Sequence, residues 1–347
     1  MKLLDACRTR HNQPPHHIPL RVLEGQPAQD FLTHRWPAMY THDPDATPYQ
    51  SPRFLRAWAS LLPANSVPLI LVAEGPAPAA LALTLSRTSE RGQPTRIQPL
   101  GSPHAEQVRP VGPGAHHPAV AHALARYLGA AASSETHVVV PDLPTHTHLG
   151  HILQAQPAWQ HRTVDYATVP LPVQYANMSP STRREHARRE RTWAQLAADG
   201  RVLYSRTRTQ TELAAATAIA EQLHQRRWAG HPVLHDADPG ALLEVVRRIG
   251  PQEALVASLR LDNTPVAAAV CLYRGDTCYS VLPAMAPDHP ELAFGHALTR
   301  LLTNDLARSG YRRLDLGRTL PDPGQHRYKT AYLCEWTTTL TAEAGTW

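Results

Sequence analysis

The chain has 347 residues, of which 34 are basic, 29 acidic and 42% hydrophobic, and its formal net charge is +5. That composition excludes a disordered chain, and the length suits two domains on the usual range of roughly 100–200 residues each. The charge is close to even along the chain, with 13 basic and 11 acidic residues through position 170 and 21 and 18 beyond it, which excludes an obligate nucleic-acid polycation.

No run approaches the roughly 18–20 apolar residues of a membrane span. The opening Met1-Lys2-Leu3-Leu4-Asp5-Ala6-Cys7 has an acidic residue where a leader would be apolar, so residues 1–15 are expected to be a disordered tail. Cys7, Cys271, Cys278 and Cys334 are too irregularly spaced for a disulfide framework or a zinc ribbon. Cys271 and Cys278 fall in strand-like runs and read as small buried hydrophobes, and a reducing cytoplasm is the expected location.

The apolar run Ile18-Pro19-Leu20-Arg21-Val22-Leu23 begins the first half. Helical spacing of apolar residues marks 28–40 and then 51–62, the latter through Phe54, Leu55, Trp58 and Leu61. Residues 68–73 and 79–85 read as paired strands around Glu74-Gly75-Pro76-Ala77-Pro78. A strand at 96–100, a helix at 119–131, a strand at 136–140, a short helix near 149–153 and a strand at 164–171 follow. His146, His148 and His151 lack helical i,i+4 pairing with a nearby third ligand, so no metal site is expected.

The second half repeats that order. An arginine-rich helix spans 182–198 and stops at Asp199-Gly200. A strand at 201–206 and helices at 211–228 and 242–249 come next. A hairpin, 255–260 with 266–272, turns at Asp262-Asn263. A strand at 277–282, a helix at 295–309, a strand at 313–316 and a helix-to-strand segment through Leu340 complete the chain. Sequence identity between the halves is weak, and the shared element order carries the duplication argument.

Of the basic residues only Lys2 and Lys329 are lysine. Arginine is a planar, permanently charged fork, whereas lysine is a compact charge with a tunable pKa, so a lysine kept in such a chain draws attention. Four blocks carry a resemblance: Ser181-Thr182-Arg183-Arg184-Glu185-His186-Ala187-Arg188-Arg189, Leu223-His224-Gln225-Arg226-Arg227-Trp228, Leu314-Asp315-Leu316-Gly317-Arg318 and Tyr328-Lys329. In order and spacing they resemble the C-terminal domain of tandem GNAT-fold acyltransferases, including Fem-type aminoacyltransferases and the acetyltransferase-like proteins of cellulose biosynthesis. The first half resembles the partner domain through Thr47-Pro48-Tyr49-Gln50-Ser51-Pro52.

The resemblance implies an α+β fold with two side-by-side GNAT domains, at 16–174 and 175–347, and a cleft near their interface. It implies an amide-forming acyltransferase of a bacterial biosynthetic pathway. A pantetheine thioester, on acyl-CoA or an acyl carrier protein, would be the donor and a small-molecule amine the acceptor, with no permanently bound cofactor and no membrane or DNA partner. Transfer from aminoacyl-tRNA is the rival reading, and a non-catalytic binding protein the second.

For the residues, the resemblance makes Lys329 the oxyanion donor. Asp315 would accept the amine proton or orient the lysine, and His224 would relay a proton. Phe294, Gly295, His296 and Ala297 match the end of the donor loop at a helix N-terminus, with Leu292 where the family has Gln or Arg. Arg184 and Arg188 would hold an anionic acceptor, donor phosphates or an acidic partner surface, with Glu185 as their possible ion-pair partner. Trp228, Arg318 and Tyr328 would line the acceptor side.

Overall fold

The computed structural model describes residues 18–87, 94–228 and 239–345, and the expected tail at 1–15 lies outside the described residues. The first half contributes five strands: β1 (Leu20–Glu24), β2 (Ser66–Ala73), β3 (Ala79–Ser86), β4 (Thr95–Pro99) and β5 (Thr136–Pro144). Its helices are α1 (Gln26–His34), α2 (Trp36–Thr41), α3 (Pro52–Ala59), α4 (Pro118–Ala131) and α5 (His148–Ala155). The strand β6 (Gln160–Pro170) follows. The second half runs α6 (Pro180–Ala198), β7 (Val202–Arg206), α7 (Gln210–Trp228), α8 (Pro239–Ile249), β8 (Ala254–Leu261), β9 (Thr264–Arg274), β10 (Thr277–Met285), α9 (Phe294–Arg308), β11 (Arg313–Thr319), α10 (Pro323–Thr330) and β12 (Glu335–Ala344).

Local chemistry explains most of these boundaries. The single helix expected at 28–40 breaks into α1 and α2 at Arg35, because Pro37 in the first turn of α2 has no N–H to continue the ladder. In α6, Ser179 caps the N-terminus by accepting from Thr182 N at 3.2 Å, and Gly200, at φ +70°, ends the helix. Asp262 and Asn263 both have positive φ, 50° and 64°, the geometry of a tight hairpin turn between β8 and β9.

Among the described residues twelve strands form one sheet in the order β1-β2-β3-β4-β5-β12-β6-β11-β10-β9-β8-β7. The halves exchange their last strands. β6, from the first half, pairs with β11, while β12, from the second, pairs with β5, and β6 and β12 pair with each other at the centre. In each half one pair is parallel, β4 with β5 and β10 with β11, and α4 or α9 makes the crossover. This is a mixed α+β fold of two halves with a shared order of elements, and their sheets are fused rather than merely adjacent.

One core lies under α1–α3 and α7–α9 and is continuous across both halves; a second joins α4 and α5 to β2–β5 and β12. Cys271 and Cys278 are fully buried in the first. Among the described residues no helix is long and apolar enough to cross a membrane.

Candidate active site

β10 and β11 are parallel partners only from Thr277↔Arg313 to Tyr279↔Asp315. Beyond that point β10 stays with β9 through Met285 while β11 continues along β6, so the parallel strands part just after Asp315. Both are irregular there, β10 between Ser280 and Leu282 and β11 between Asp315 and Arg318. Bulges of this kind re-aim side chains and backbone groups beside functional sites.

Gly317 permits the β11 irregularity. Its φ is +69°, and a Cβ there would meet Glu106 Oε2 at 3.2 Å and Ser280 O at 3.5 Å. Asp315 Oδ1 accepts from Gly317 N at 2.6 Å, which pins the carboxylate to its own turn. Lys329, near the end of α10, is 5% exposed, and its Nζ donates to Gly317 O at 2.7 Å and Arg318 O at 2.6 Å. Among the described residues the third N–H of the ammonium has no partner. Burial pushes the Lys329 pKa down to about 8, against the opposing pull of Glu106 and Asp315.

The first half completes this cluster. The segment between β4 and α4 carries Glu106 and Gln107 to the β11 bulge. Gln107 Nε2 donates to Asp315 Oδ2 at 2.7 Å, and Thr168 on β6 donates to the same oxygen at 3.5 Å. Arg318 pairs with Glu106 Oε1 at 3.2 Å, donates to Pro103 O at 2.7 Å and lies 3.6 Å from Asp142 Oδ2. Arg318 does not pair with Asp315, whose oxygens accept from Gly317 N and Gln107 Nε2. Tyr49 donates its hydroxyl to Glu106 Oε2 at 3.4 Å. Burial raises the Glu106 carboxyl to about 7, with Arg318 opposing, and burial also raises Asp315.

Sequence reading missed Glu106, Gln107 and Asp142. They sit on irregular backbone, with Gln107 and Asp142 at positive φ of 51° and 53°, so no periodicity singled them out. Tyr49 stood inside a noted block, and that block was the only available signal.

Of the other expected residues, Tyr328 and the arginine-rich helix α6 meet the head of α9, whereas His224 and Trp228 lie on α7. Tyr328 donates to Gly295 O at 3.3 Å and hydrogen-bonds Thr299 Oγ1. His296 Nδ1 lies 3.0 Å from the Tyr332 hydroxyl, and its ring stacks on that of Tyr332. Burial lowers the His296 pKa to about 3, so the ring is neutral. The N–H groups of His296 and Ala297 return to Ala293 O, at 2.9 and 3.2 Å. Among the described residues no backbone carbonyl takes the N–H of Phe294 or Gly295, and these two remain for a ligand. Gly295 is closely approached by Met285, whose Cε would lie 3.0 Å from an added Cβ.

α6 lies beside this turn, with Trp193 Nε1 donating to Leu292 O at 2.9 Å and Glu190 paired to Arg300 at 2.5 Å. Glu185 binds both Arg188, at 2.8 Å, and Arg189, at 3.0 Å, while Arg184 and Arg191 are exposed. His224 and Trp228 sit together on the last turns of α7, ring centroids 6.4 Å apart, and the Arg227 guanidinium lies 5.0 Å from the Trp228 ring centre. Burial lowers the Arg227 pKa, and the Tyr328 and Asp322 charges oppose that shift.

Residues 181–330, from the start of α6 to the end of α10, match the family model of the acetyltransferase (GNAT) domain. This segment is a GNAT domain. It contains Asp315, Arg318 and Lys329, and the parallel pair whose strands part beside them, and it makes the protein an acyltransferase.

No curated protein matches the chain. Among solved structures, FemX superposes with a TM-score of 0.61 at 9% identity, over 93% of this chain and 96% of that one. The C-terminal domain of an assigned lysylphosphatidylglycerol synthetase from Agrobacterium fabrum gives 0.56 at 13% identity, over 91% and 92%. A tandem GNAT protein from the clavulanic acid biosynthesis pathway gives 0.51 at 14%, over 95% and 100%. At these identities the likeness is one of fold, and it extends beyond the GNAT domain to the first half.

Proposed function

We propose that the protein forms an amide by moving an acyl group from a pantetheine thioester to the amine of a small molecule. The observation that carries this reading is Lys329, a buried ammonium held by Gly317 O and Arg318 O where β10 and β11 part. Attack of an amine on a thioester carbonyl places negative charge on the carbonyl oxygen. A preorganised donor in a poorly solvated site stabilises that charge, and removal of one such donor costs about 10²–10³-fold in kcat.

In this reading the spare N–H of Lys329 meets the oxyanion. Asp315 orients the β11 bulge, because hydrogen bonds already engage both of its oxygens. Tyr328, Trp228 and His224 line the acceptor side, and Arg318 holds the wall shared with the first half.

The donor grip favours a carrier protein over free coenzyme A. Only Phe294 and Gly295 keep backbone N–H groups at the head of α9, and Met285 crowds Gly295. Beside them α6 exposes Arg184 and Arg188, which suit an acidic protein surface or the phosphate of a pantetheine arm. The test is a mass-spectrometric comparison of acetyl-CoA, acetylated carrier protein and aminoacyl-tRNA as donors to a panel of amines. Acylation from the carrier protein supports the reading. Transfer from aminoacyl-tRNA alone replaces it with Fem-like chemistry, and no transfer from any donor overturns it.

A further inference from the structure

We propose that Glu106, carried by the first half of the chain, is the general base that takes the proton from the attacking amine on the GNAT domain. The inference rests on the amide-forming reading above.

Its geometry comes from one residue, Gly317. The Glu106 carboxylate packs against the face of Gly317 that a Cβ would occupy, its oxygens 3.2 and 3.6 Å from that position, while the Gly317 carbonyl accepts from Lys329 Nζ at 2.7 Å. A carboxylate and an ammonium therefore meet the same bulge residue from different sides, beside the point where the parallel strands part. Among the clustered carboxylates of the described residues Glu106 is the most exposed, and one of its oxygens is only weakly engaged. Asp315 is 4% exposed and its oxygens accept from Gly317 N, Gln107 and Thr168, and the Asp142 side chain is 2% exposed. Glu106 keeps 13% exposure, and its Oε2 accepts only a long 3.4 Å bond from Tyr49.

The first half is built to deliver it. Its own parallel pair, β4 with β5, ends at Ile97↔Val138, and the chain from Leu100 to Gly112 fills the opening beyond. Val108 N donates to Asp142 O at 3.0 Å, Val111 pairs with Ala80, and an added Cβ at Gly112 would strike Pro78 O at 2.6 Å. That half gives its opening to its own backbone and presents Glu106 to the other.

The groups facing Glu106 are Arg318 and Asp315 from β11, Asp142 from β5, Tyr166 from β6, Lys329 from α10 and Tyr49. Burial dominates, and the carboxyl titrates at about 7, suited to a base in neutral solution. In the step, the nitrogen lone pair forms the N–C bond and the carbonyl π pair moves to oxygen, opposite Lys329. Glu106 takes one N–H proton. The pair on oxygen then re-forms C=O, the C–S bond breaks, and the thiolate recovers the proton from Glu106, leaving amide, thiol and carboxylate.

The experiment uses the full chain, acetyl-CoA, acetylated carrier protein or aminoacyl-tRNA as donor, and methoxyamine as acceptor. This amine is uncharged throughout the neutral range, so an acid limb belongs to the protein. Wild-type kcat/KM is expected to fall as pH drops through about 7. Glu106→Gln should lower it by about 10²-fold or more and abolish that limb, and Glu106→Asp should keep a displaced limb at reduced rate. A Gln variant within about threefold of wild type, or one that keeps the limb, makes Glu106 an ion-pair partner only and overturns the assignment while acyl transfer stands. If the Gln variant does not fold, an undisplaced limb in the Asp variant overturns it equally. Wild-type protein inactive with every donor removes the amide-forming reading itself, and the base assignment with it.

Discussion

Lys329 hydrogen-bonds the backbone at the β11 bulge with two of its three protons, and that decides what a replacement can do. Alanine leaves Gly317 O and Arg318 O buried without their donor and removes the charge from the oxyanion. Arginine keeps a charge but brings a planar fork into a space shaped for a compact ammonium. Both variants should lose two or more orders of magnitude in turnover with unchanged circular dichroism, and near-normal turnover in either would sink the oxyanion role. Because the lysine acts protonated and titrates at about 8, the rate should fall as pH rises through that value. A Lys329→Ala variant assayed for its residual activity should lack this basic limb.

The scarcity of lysine made Lys329 visible in the sequence, and its block made Asp315 visible. Glu106 was not, because what singles it out is position: a carboxylate from residue 106 packs on a glycine at 317, and no local pattern encodes that meeting. Gly317 itself stood in a recognised block, but the reason for it, a positive φ under another half's carboxylate, exists only in the folded chain.

At the scale of elements, α6 shows how far a periodic pattern carries. The arginine-rich run predicted a charged helix, and the exposed Arg184, Arg188 and Arg191 provide one, with Glu185 neutralising part of it through Arg188 and Arg189. Solvent screens exposed ion pairs of this kind, so the face is free to serve binding without great loss of stability. Reversing Arg184 and Arg188 to Glu should raise the apparent KM for a carrier-protein donor several-fold and leave thermal stability nearly unchanged. Unaltered KM for every donor would reduce α6 to a solvated face.

The strand exchange was beyond the pattern. Residues 164–171 read correctly as a strand, but hydrophobic alternation says that a strand is covered and not by which neighbour. With the domain boundary put between residues 174 and 175, the piece 175–347 lacks β6, the strand that lies between its own β11 and β12. Such a fragment leaves β12 with no partner on either side and β11 with one open edge, a template for aggregation. Size-exclusion chromatography should find it aggregated, and a fragment lengthened to include β6 should be better behaved. A monodisperse, cooperatively melting 175–347 would show that the exchange is dispensable.

Across the whole molecule the repeated order of elements was legible, and so was the doubling of the fold. Fusion into one sheet was not. It is reinforced away from the site, where Ser51 Oγ hydrogen-bonds Glu253 and Arg274 donates to Tyr40 O at 2.9 Å while lying 3.6 Å above the Tyr40 ring. These contacts join α2, α3 and the chain around them to the strands and loops of the GNAT domain. Together with the continuous core, they tie the two halves together around the junction that holds both Glu106 and Lys329.

The exchange of β6 and β12 also bears on the order in which the protein can be made. Domains usually fold as they leave the ribosome, first half first. Here the first half cannot complete its sheet until β12, translated after α10, has emerged to cover β5. Lys329 lies just ahead of that strand. Nascent chains halted anywhere before β12 should therefore carry neither a finished first half nor an assembled site, and both should appear in a single late step.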